Sequence, residues 1–285
     1  MADHNPRVSV LMAAHDAQAT IAESVSSALA QTMTELEVVV VDDGSARPIA
    51  QALAALGDPR LRVLRTARNL GVGAARTAAL RAARAPIVAQ LDADDLWRPD
   101  HLAQLLGAFG DPAVGLAYTN AEVLGHPRGA SLWIPSPAEP DRTAVQSAAV
   151  EHPVAELRVL LANNPIPAPA VAMRRAAALA AGAYPAWLRV GEDYMLYLNL
   201  MRAGWRFAYV PRASAVYRWP EAGRGATYDR RRHARQETLL FAALALRMPA
   251  QSAVWRRLGG QARELVATHV PGSLTVATAL RRRRG

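Results

Sequence analysis

Short, continuous apolar runs alternate with amphipathic segments along the first 120 residues of the chain. Continuous runs are typical of strands that are buried on both faces of a sheet. Such runs predict strands at residues 8–12, 36–41, 61–64 and 87–91. The segments between them predict helices at residues 20–31, 49–56 and 69–83. In the first of these helices, Thr20 and Glu23 predict a capping box. The alternation predicts an α/β protein with a doubly wound, mainly parallel sheet.

The rest of the chain has a less regular pattern. A helix from Asp100 and a strand at residues 114–119 come before the proline-rich stretch 125–153, which predicts a long loop of the kind that carries specificity. Residues 163–169 contain three prolines, and we expect them to be non-helical. The remaining predicted elements are strands at residues 170–173 and 206–210 and helices at residues 175–181, 192–204, 230–247 and 252–268.

Composition excludes several classes of site. The chain of 285 residues has no cysteine, so it has no disulfides, thiolate metal sites or cysteine nucleophiles. Its first residues lack the apolar core of a signal peptide, and no apolar run approaches the roughly 18 residues of a membrane span. We therefore expect a cytoplasmic protein.

The net charge is +9, and all 33 basic residues are arginine. Because the chain has no lysine and much alanine, coding bias explains this composition better than a nucleic-acid surface, and we expect no nucleic-acid partner. Two arginine clusters remain of interest, residues 230–232 with Arg235 and residues 281–284. We hypothesise that they hold the protein peripherally against an anionic membrane at its inner face.

Polar residues follow three of the predicted strands. These residues are His15 and Asp16, Asp42 and Asp43, and Asp92 to Asp95. In an open α/β sheet, ligands bind outside the carboxyl ends of the strands. Any one of these carboxylates could instead cap the following helix, but three groups at one edge of a sheet favour a binding site.

The turn Asp92–Ala93–Asp94 places two carboxylates at alternate positions after a strand. Such a turn can direct one carboxylate to a ribose hydroxyl and the other to Mg²⁺ or Mn²⁺, which neutralises a bound diphosphate. Arg76 lies one helical turn into the helix that Gly71 and Gly73 open. It either faces the same edge and pairs with phosphate or a base, or is a solvated arginine on the helix surface.

A second acidic pair, Glu192 and Asp193, opens a helix rich in apolar residues. Carboxylates at this position gain from the helix dipole, so capping alone could explain them. The apolar residues that follow predict that the helix is buried and that its acidic end faces a cleft. A carboxylate there could accept a proton from a hydroxyl.

Four segments resemble, in order, the motifs of the inverting family 2 glycosyltransferases. They are VSVLMAAHDAQATIAESVSSALAQT…ELEVVVVDDGS, RNLGVGAARTAAL, LDADDLWRPDHL and GEDYMLYLNLMRAGWRFAYVP. The similarity covers about residues 7–218. It implies the glycosyltransferase A fold, a nucleotide-sugar donor, a divalent cation and direct displacement at the anomeric carbon with inversion.

The resemblance also implies roles for individual residues. Asp193 would be the general base, and Glu192 would support it or hold the acceptor. Asp94 would bind the cation, Mn²⁺ or Mg²⁺. The residues implied at the donor are Ala13, His15 and Asp43 for the nucleoside and Asp92 for the ribose or sugar.

Two departures from the family pattern affect these roles. His15 and Asp16 stand where the family usually has Tyr-Asn, so the stacking of the base differs. Many members have a histidine that completes the cation site after the segment that corresponds to Tyr217 and Arg218. Here residues 219–221 read Trp-Pro-Glu, and Glu221 is the candidate replacement.

The resemblance implies a catalytic domain at residues 1–222, with a donor half at about 7–120 and an acceptor half at about 121–222. A helical extension with a basic tail follows at residues 223–285, and we hypothesise that its helices form a homo-oligomer contact. We expect a UDP- or dTDP-linked donor. The expected acceptor is a cell-envelope glycan, a lipid-linked saccharide or a small secondary metabolite.

Two other functions remain open at this stage. A sugar-nucleotide pyrophosphorylase has a related sheet, but it would need a glycine-rich loop after the first strand, where this chain has no glycine. A non-catalytic module that binds nucleotides or nucleic acid through its arginines would show affinity that falls steeply with salt.

Overall fold

The computed structural model describes residues 5–136, 141–146, 154, 156–162, 164–220 and 230–269. Two predicted features, Glu221 and the arginines at 281–284, lie outside these residues. The strands in the described residues are β1 (Val8–Ala14), β2 (Leu36–Asp42), β3 (Leu61–Arg65), β4 (Ile87–Gln90), β5 (Leu96–Trp97), β6 (Val114–Leu124), β7 (Val171–Arg174) and β8 (Arg206–Arg218). The α-helices are α1 (Ile21–Leu29), α2 (Ile49–Leu53), α3 (Val72–Ala82), α4 (His101–Leu106), α5 (Leu157–Ala162), α6 (Arg175–Ala180), α7 (Glu192–Arg202), α8 (Arg230–Arg247) and α9 (Ser252–His269).

The strands form one sheet in the order β3-β2-β1-β4-β7-β6-β8-β5. Strands β3, β2, β1 and β4 are parallel neighbours, and β6 and β8 are also parallel. The pairs β4–β7, β6–β7 and β5–β8 are antiparallel. This arrangement confirms the predicted α/β class, with a mainly parallel sheet and a helical C-terminal region.

The continuous apolar runs of the first half form the centre of the sheet. Every residue of β2 is buried, and so is every residue of β4. Apolar residues of β1, β2, α1 and α4 belong to one hydrophobic core. Because both faces of these strands are covered, the polar residues that follow them are collected at the carboxyl edge.

The capping box predicted at the first helix does not form. Thr20 occupies the N-cap of α1, but its side chain makes no capping hydrogen bond. Instead, the Thr20 hydroxyl donates to the carbonyl of Ala17 at 3.4 Å, and the Glu23 carboxylate accepts a hydrogen bond from Arg218. Tertiary contacts therefore override the local signal.

The second half of the sheet is more extensive than predicted. Strand β8 continues through Pro211 to Arg218, and β6 continues to Leu124 beside it. The apolar run predicted only residues 206–210, because the exposed Pro211 and Arg212 interrupt it. Residues 168–170 form a 3₁₀ turn within the segment expected to be non-helical. The two-residue strand β5 was not predicted.

The chain divides into two compact units. The first unit contains residues 1–187 and 192–219, and with them all eight strands of the described part. The second unit contains residues 188–191 and 220–285, and with them α8 and α9. No helix in the described ranges has the length and apolar character needed to cross a bilayer.

Candidate active site

The carboxyl ends of β2, β1 and β4 lie side by side at one edge of the sheet. Strand β1 pairs with β2 and β4 in parallel, with Ala14 opposite Asp42 and Leu11 opposite Gln90. The residues that follow these strands are therefore neighbours. This edge carries Ala13, which is half-buried near the end of β1, and the side chains of His15, Asp43 and Asp92.

His15 lies against the segment that follows β2. One ring nitrogen, Nδ1, is 2.9 Å from the carbonyl oxygen of Asp43, and the other, Nε2, is 3.6 Å from Asp16 Oδ2. Asp16 has a φ of 51° and accepts a hydrogen bond from the Ala46 amide at 2.9 Å. The loop after β1 is thereby joined to the loop after β2, and the His15 side chain remains 43% exposed.

The Asp43 carboxylate is buried and holds the loop that leads into α3. Oδ1 accepts hydrogen bonds from the Thr66 hydroxyl at 3.0 Å and the Leu70 amide at 2.9 Å, and Oδ2 accepts one from the Gly71 amide at 2.7 Å. A nucleobase that binds here would share these oxygens with the protein. Gly44 is required beside it, because a Cβ at this position would lie 2.4 Å from the backbone carbon of Arg68.

The contacts of Asp42 explain its presence without any role in ligand binding. Its carboxylate accepts hydrogen bonds from the amides of Ser45 at 2.9 Å and Ile49 at 3.0 Å, the second of which begins α2. It also pairs with Arg65 at 2.7 Å. Asp42 therefore stabilises the turn and the start of the helix, as the capping alternative predicted for a single carboxylate.

The three aspartates after β4 have different environments. Asp92 is partly buried and forms an ion pair with Arg76, whereas Asp95 is buried and accepts a hydrogen bond from the Arg218 amide at 2.8 Å. Asp94 is exposed, and no side chain of the described residues donates a hydrogen bond to its carboxylate, although its own backbone amide does. Desolvation and the neighbouring charge of Asp92 raise the pKa of Asp94. Ala93 between them is buried.

Arg76 joins the two acidic stretches of the sequence. Its guanidinium is only 4% exposed and pairs with Asp92 after β4 and with Glu192 at the start of α7. Burial lowers the pKa of Arg76, but Asp92 and Glu192 raise it well above its ordinary value, so the guanidinium stays charged. The alternative of a solvated surface arginine is wrong, and its partners in this structure are carboxylates.

Sequence reasoning missed the packing that makes this junction possible. Gly73 lies against the segment before α7, and a Cβ there would be 2.5 Å from the Pro185 carbonyl oxygen and 3.4 Å from Glu192 Cβ. Buried Tyr184 lies beneath Arg76, with its ring centroid 5.8 Å from the guanidinium carbon. The only sequence signal for this contact is the small residue one turn before Arg76.

Glu192 and Asp193 occupy the first turn of α7. Glu192 is buried, and Asp193 is half-buried with Oδ1 accepting a hydrogen bond from the Tyr194 amide at 2.7 Å. Burial, reinforced by Asp193 and opposed by Arg76, raises the pKa of Glu192 to about 7. Burial also raises the pKa of Asp193, against the effects of Arg76 and the Tyr194 amide. A half-buried carboxylate with a raised pKa is suited to accept a proton.

A cation would have few protein ligands at this edge. Among the described residues, no group of three or more His, Asp or Glu side chains is arranged to hold a metal ion. Asp92 forms an ion pair with Arg76. The exposed Asp94 is therefore the carboxylate of this turn that could bind a cation. Mg²⁺ and Mn²⁺ are often held by one or two carboxylates together with substrate phosphates, and Asp94 fits that chemistry.

The chain resembles known proteins over most of its length. A family model described as glycosyl transferase family 2 matches residues 9–133. The chain is 33% identical to the succinoglycan biosynthesis protein ExoO of Rhizobium meliloti (strain 1021), over 75% of this chain and 61% of ExoO. It is 32% identical to ExoU of the same organism, also a succinoglycan biosynthesis protein, over 87% of this chain and 73% of ExoU.

A solved structure shows the same fold. The mannosyltransferase PcManGT from Pyrobaculum calidifontis, in complex with GDP-Man and Mn²⁺, superposes with a TM-score of 0.63 at 23% sequence identity. The match covers 98% of this chain and 80% of the mannosyltransferase. The predicted glycosyltransferase A fold is thereby confirmed. With this fold, the matching family model and the extended similarity to ExoU, the chain belongs to glycosyl transferase family 2, a family of transferases.

Proposed function

We propose that this chain transfers a sugar from a nucleotide-sugar donor to an acceptor hydroxyl by a single displacement that inverts the anomeric carbon. The proposal rests on the two ion pairs of Arg76. They hold Asp92, at the donor edge, and Glu192, beside the candidate base, in one cluster. A displacement needs donor and base on opposite sides of one carbon atom, and such a cluster fixes their separation.

The chain's own residues supply the proton transfer. Asp193 accepts the proton of the acceptor hydroxyl while the new bond forms between that oxygen and the anomeric carbon. The bond from the anomeric carbon to the diphosphate oxygen breaks, and its electron pair leaves with the nucleoside diphosphate. Glu192, which pairs with Arg76, keeps the start of α7 in place. A divalent cation bound by Asp94, Mn²⁺ or Mg²⁺, would supply positive charge at the diphosphate.

The donor nucleoside is proposed to bind at the ends of β1 and β2, against Ala13, His15 and Asp43, with Asp92 and Ala93 closer to the sugar. Two features support this site. His15 is exposed, so its ring is available to a nucleobase, and the carboxylate of the buried Asp43 lies beside it. A UDP- or dTDP-linked sugar is the proposed donor class.

The acceptor is proposed to be a saccharide used in building a cell-envelope glycan, either free or lipid-linked. The support is that ExoO and ExoU are both named for succinoglycan biosynthesis. The chain spans 61% of ExoO and 73% of ExoU. The names of those proteins therefore support the chemical class of the acceptor, a saccharide, and not its identity.

A screen of nucleoside diphosphates and their sugars tests this proposal. We expect UDP or dTDP and one of their sugar conjugates to raise the melting temperature in the presence of Mn²⁺, and the same conjugate to be turned over with a saccharide acceptor. If no nucleoside diphosphate stabilises the protein, with or without Mn²⁺, the proposed function is wrong.

A further inference from the structure

Four aromatic side chains form a connected group that the proposed chemistry does not use. Trp133 and Tyr217 meet edge to face with ring centroids 4.9 Å apart, and Tyr217 and Trp219 are 6.2 Å apart. His126 lies edge-on to Trp219 at 4.2 Å. The three larger residues are half-buried, so part of each is accessible to a ligand. We call these four residues the aromatic cluster.

The aromatic cluster lies beside the aspartate turn. Strand β5 pairs with β8 through Leu96 and Val216, so the preceding residue, Asp95, and the following residue, Tyr217, are also neighbours. The hydrogen bond from the Arg218 amide to Asp95 at 2.8 Å fixes this contact.

The acidic residues of the candidate site act on Tyr217 directly. Burial is the largest cause that raises the pKa of the Tyr217 hydroxyl, and the charges of Asp95, Asp92, Asp94 and Asp193 raise it further. The hydroxyl is therefore within electrostatic reach of both the donor edge and the candidate base.

The backbone around Trp133 is held rigidly on β6. The Asn120 side chain donates to the Ile134 carbonyl at 2.8 Å and accepts from the Ile134 amide at 2.9 Å. The Trp133 amide donates to the Ala121 carbonyl at 2.8 Å. An aromatic ring that is fixed before binding loses little conformational entropy when a ligand arrives.

Two polar atoms of the aromatic cluster have no hydrogen-bond partner within the described part of the chain. The indole Nε1 of Trp133 is buried, and no acceptor for it is present among the described residues. Within the same part of the chain, no hydrogen bond involves the Tyr217 hydroxyl. The hydroxyl of the half-buried Tyr217 is therefore available to a ligand with hydroxyl groups, whereas the Trp133 indole nitrogen is enclosed by the protein.

We propose that the aromatic cluster is the platform on which the acceptor saccharide binds, with the apolar face of a pyranose ring against Trp133, Tyr217 and Trp219. Hydroxyls of the same sugar bond to the Tyr217 hydroxyl. This inference rests on the proposed function, because it assigns the second substrate of the same reaction.

Charge and position favour a saccharide over the nucleotide. A neutral sugar can lie beside the carboxylates around Tyr217 without a counter-ion, whereas a diphosphate needs the divalent cation that Asp94 would hold. The proposed nucleoside site at His15 and Asp43 is at the β1–β2 end of the sheet, and three strands, β4, β7 and β6, separate β1 from β8. The two substrates would thus approach the Asp92–Asp193 region from different sides.

The direct test observes the six tryptophan indole N–H signals by NMR in the 285-residue chain labelled with ¹⁵N. The probes are cellotetraose, laminaritetraose and chitotetraose, three β-linked oligosaccharides with different linkages or substituents, followed by UDP. We expect at least one oligosaccharide to shift the signals of Trp133 and Trp219 while the exposed Trp255 of α9 stays unchanged. Trp133 is assigned from the Trp133→Phe spectrum.

Variants then separate this inference from the proposed function. Trp133→Ala should weaken binding of the responding oligosaccharide by roughly fivefold to tenfold, as expected for a lost aromatic contact, while UDP binding is unchanged. Trp133→Phe should retain most of the affinity, and Trp255→Ala is the matched control. Melting curves identify any variant that fails to fold, and the NMR titration of the unmodified protein does not depend on them.

Three results would overturn the platform. They are the absence of any Trp133 shift with all three oligosaccharides, an unchanged affinity in folded Trp133→Ala, and a Trp133 shift caused by UDP, which would indicate nucleobase stacking. Loss of nucleoside diphosphate binding and turnover with saccharide binding intact would contradict the proposed function instead.

Discussion

Asp193 has the environment of a base, and its replacement tests that role most directly. Burial raises its pKa, and its Oδ1 is fixed by the Tyr194 amide. We expect Asp193→Asn to lower transfer by about 10²–10⁴-fold, the usual contribution of a general base, because a neutral amide is too weak a base to accept the proton. Nucleoside diphosphate binding should be unchanged. Steady-state rates and calorimetry measure the two effects.

The control for this variant is Asp111→Asn, which alters an exposed carboxylate paired with Arg206. Transfer by that protein should equal that of the parent. Full turnover by Asp193→Asn would refute the assignment of the base.

The raised pKa of Asp193 also predicts the direction of the pH dependence. The base is active only when ionised, so the transfer rate should fall as the pH decreases through its pKa and level off above it. Because the pKa is raised, this acidic limb should lie above the ordinary aspartate value of 3.8. A profile of kcat/KM that is flat down to pH 3.8 in folded protein would contradict the prediction.

Arg76 neutralises two carboxylates that are held near each other, and removing its charge should destabilise the fold. We expect Arg76→Met to lower the free energy of unfolding by about 3–5 kcal/mol, the usual cost of breaking a buried ion pair. The loss should be smaller at acidic pH. The pKa of Glu192 is about 7 and rises further without Arg76, so below that value Glu192 is protonated and needs no cation.

Urea unfolding at pH 5.5 and pH 8 measures this difference. In the double variant Arg76→Met/Glu192→Gln, part of the stability should return, because the uncompensated buried charge is removed. An equal loss at both pH values, with no recovery in the double variant, would show that packing rather than charge explains the effect.

At the scale of secondary-structure elements, the approach of α3 to the start of α7 depends on Gly73. A Cβ at this position would be 2.5 Å from the Pro185 carbonyl oxygen, so Gly73→Ala must displace one of the two segments. We expect a destabilisation of about 1–3 kcal/mol and a lower transfer rate, because the Arg76–Glu192 contact lies one turn away. Thermal unfolding and activity measure both.

Gly107→Ala is the matched control, since a Cβ there meets nothing within 4 Å and its φ of −55° suits alanine. This substitution should be neutral or slightly stabilising. If both alanine variants behave alike, close packing at Gly73 is not what holds the two segments together.

The elements that could be predicted from sequence are those whose signal is local. Continuous apolar runs predicted β1, β2 and β4, because strands that are covered on both faces need apolar residues at every position. The end of β8 could not be predicted, because Pro211 and Arg212 interrupt its apolar run and its pairing with β6 and β5 extends it. The long loop expected after residue 125 is held by a contact that no local pattern predicts. Asn120, in the preceding strand, donates a hydrogen bond to the Ile134 carbonyl.

The candidate site shows the same division between local and distant signals. Strand ends predicted that His15, Asp43 and Asp92 share one edge, since parallel strands end together. The pairing of Arg76 with Glu192 links residues 116 positions apart, and no local pattern encodes it. The resemblance to the family predicted that both acidic stretches belong to one site, and the ion pairs of Arg76 give a physical reason for that.

For the molecule as a whole, the first expectation concerns the cation. Asp94 is exposed and no side chain of the described residues bonds to it, so its carboxylate is available to a metal ion that also contacts a diphosphate. Mn²⁺ or Mg²⁺ should therefore strengthen binding of UDP or dTDP, whichever the screen selects, and Asp94→Asn should remove that gain. Calorimetry that gives equal affinities with Mn²⁺ and with excess EDTA would refute the prediction.

The second expectation concerns the membrane and is carried by the C-terminal unit. Arg231, Arg232 and Arg235 are exposed on α8, and so are Leu246 on the same helix and Trp255 on α9. Arginines interspersed with exposed apolar residues are typical of helices that lie on anionic lipid.

We therefore expect the 285-residue chain to float with liposomes that contain phosphatidylglycerol at low salt and to be released at high salt. The double variant Arg235→Gln/Arg256→Gln removes one exposed arginine from α8 and one from α9. It should partition about thirtyfold less, because each arginine near such a surface contributes about 1 kcal/mol. The control Arg47→Gln/Arg68→Gln removes the same charge from exposed positions of the first unit and should float as the parent does. Equal loss in both double variants would mean that net charge alone drives binding, and the absence of flotation in the parent would exclude a membrane role for these helices.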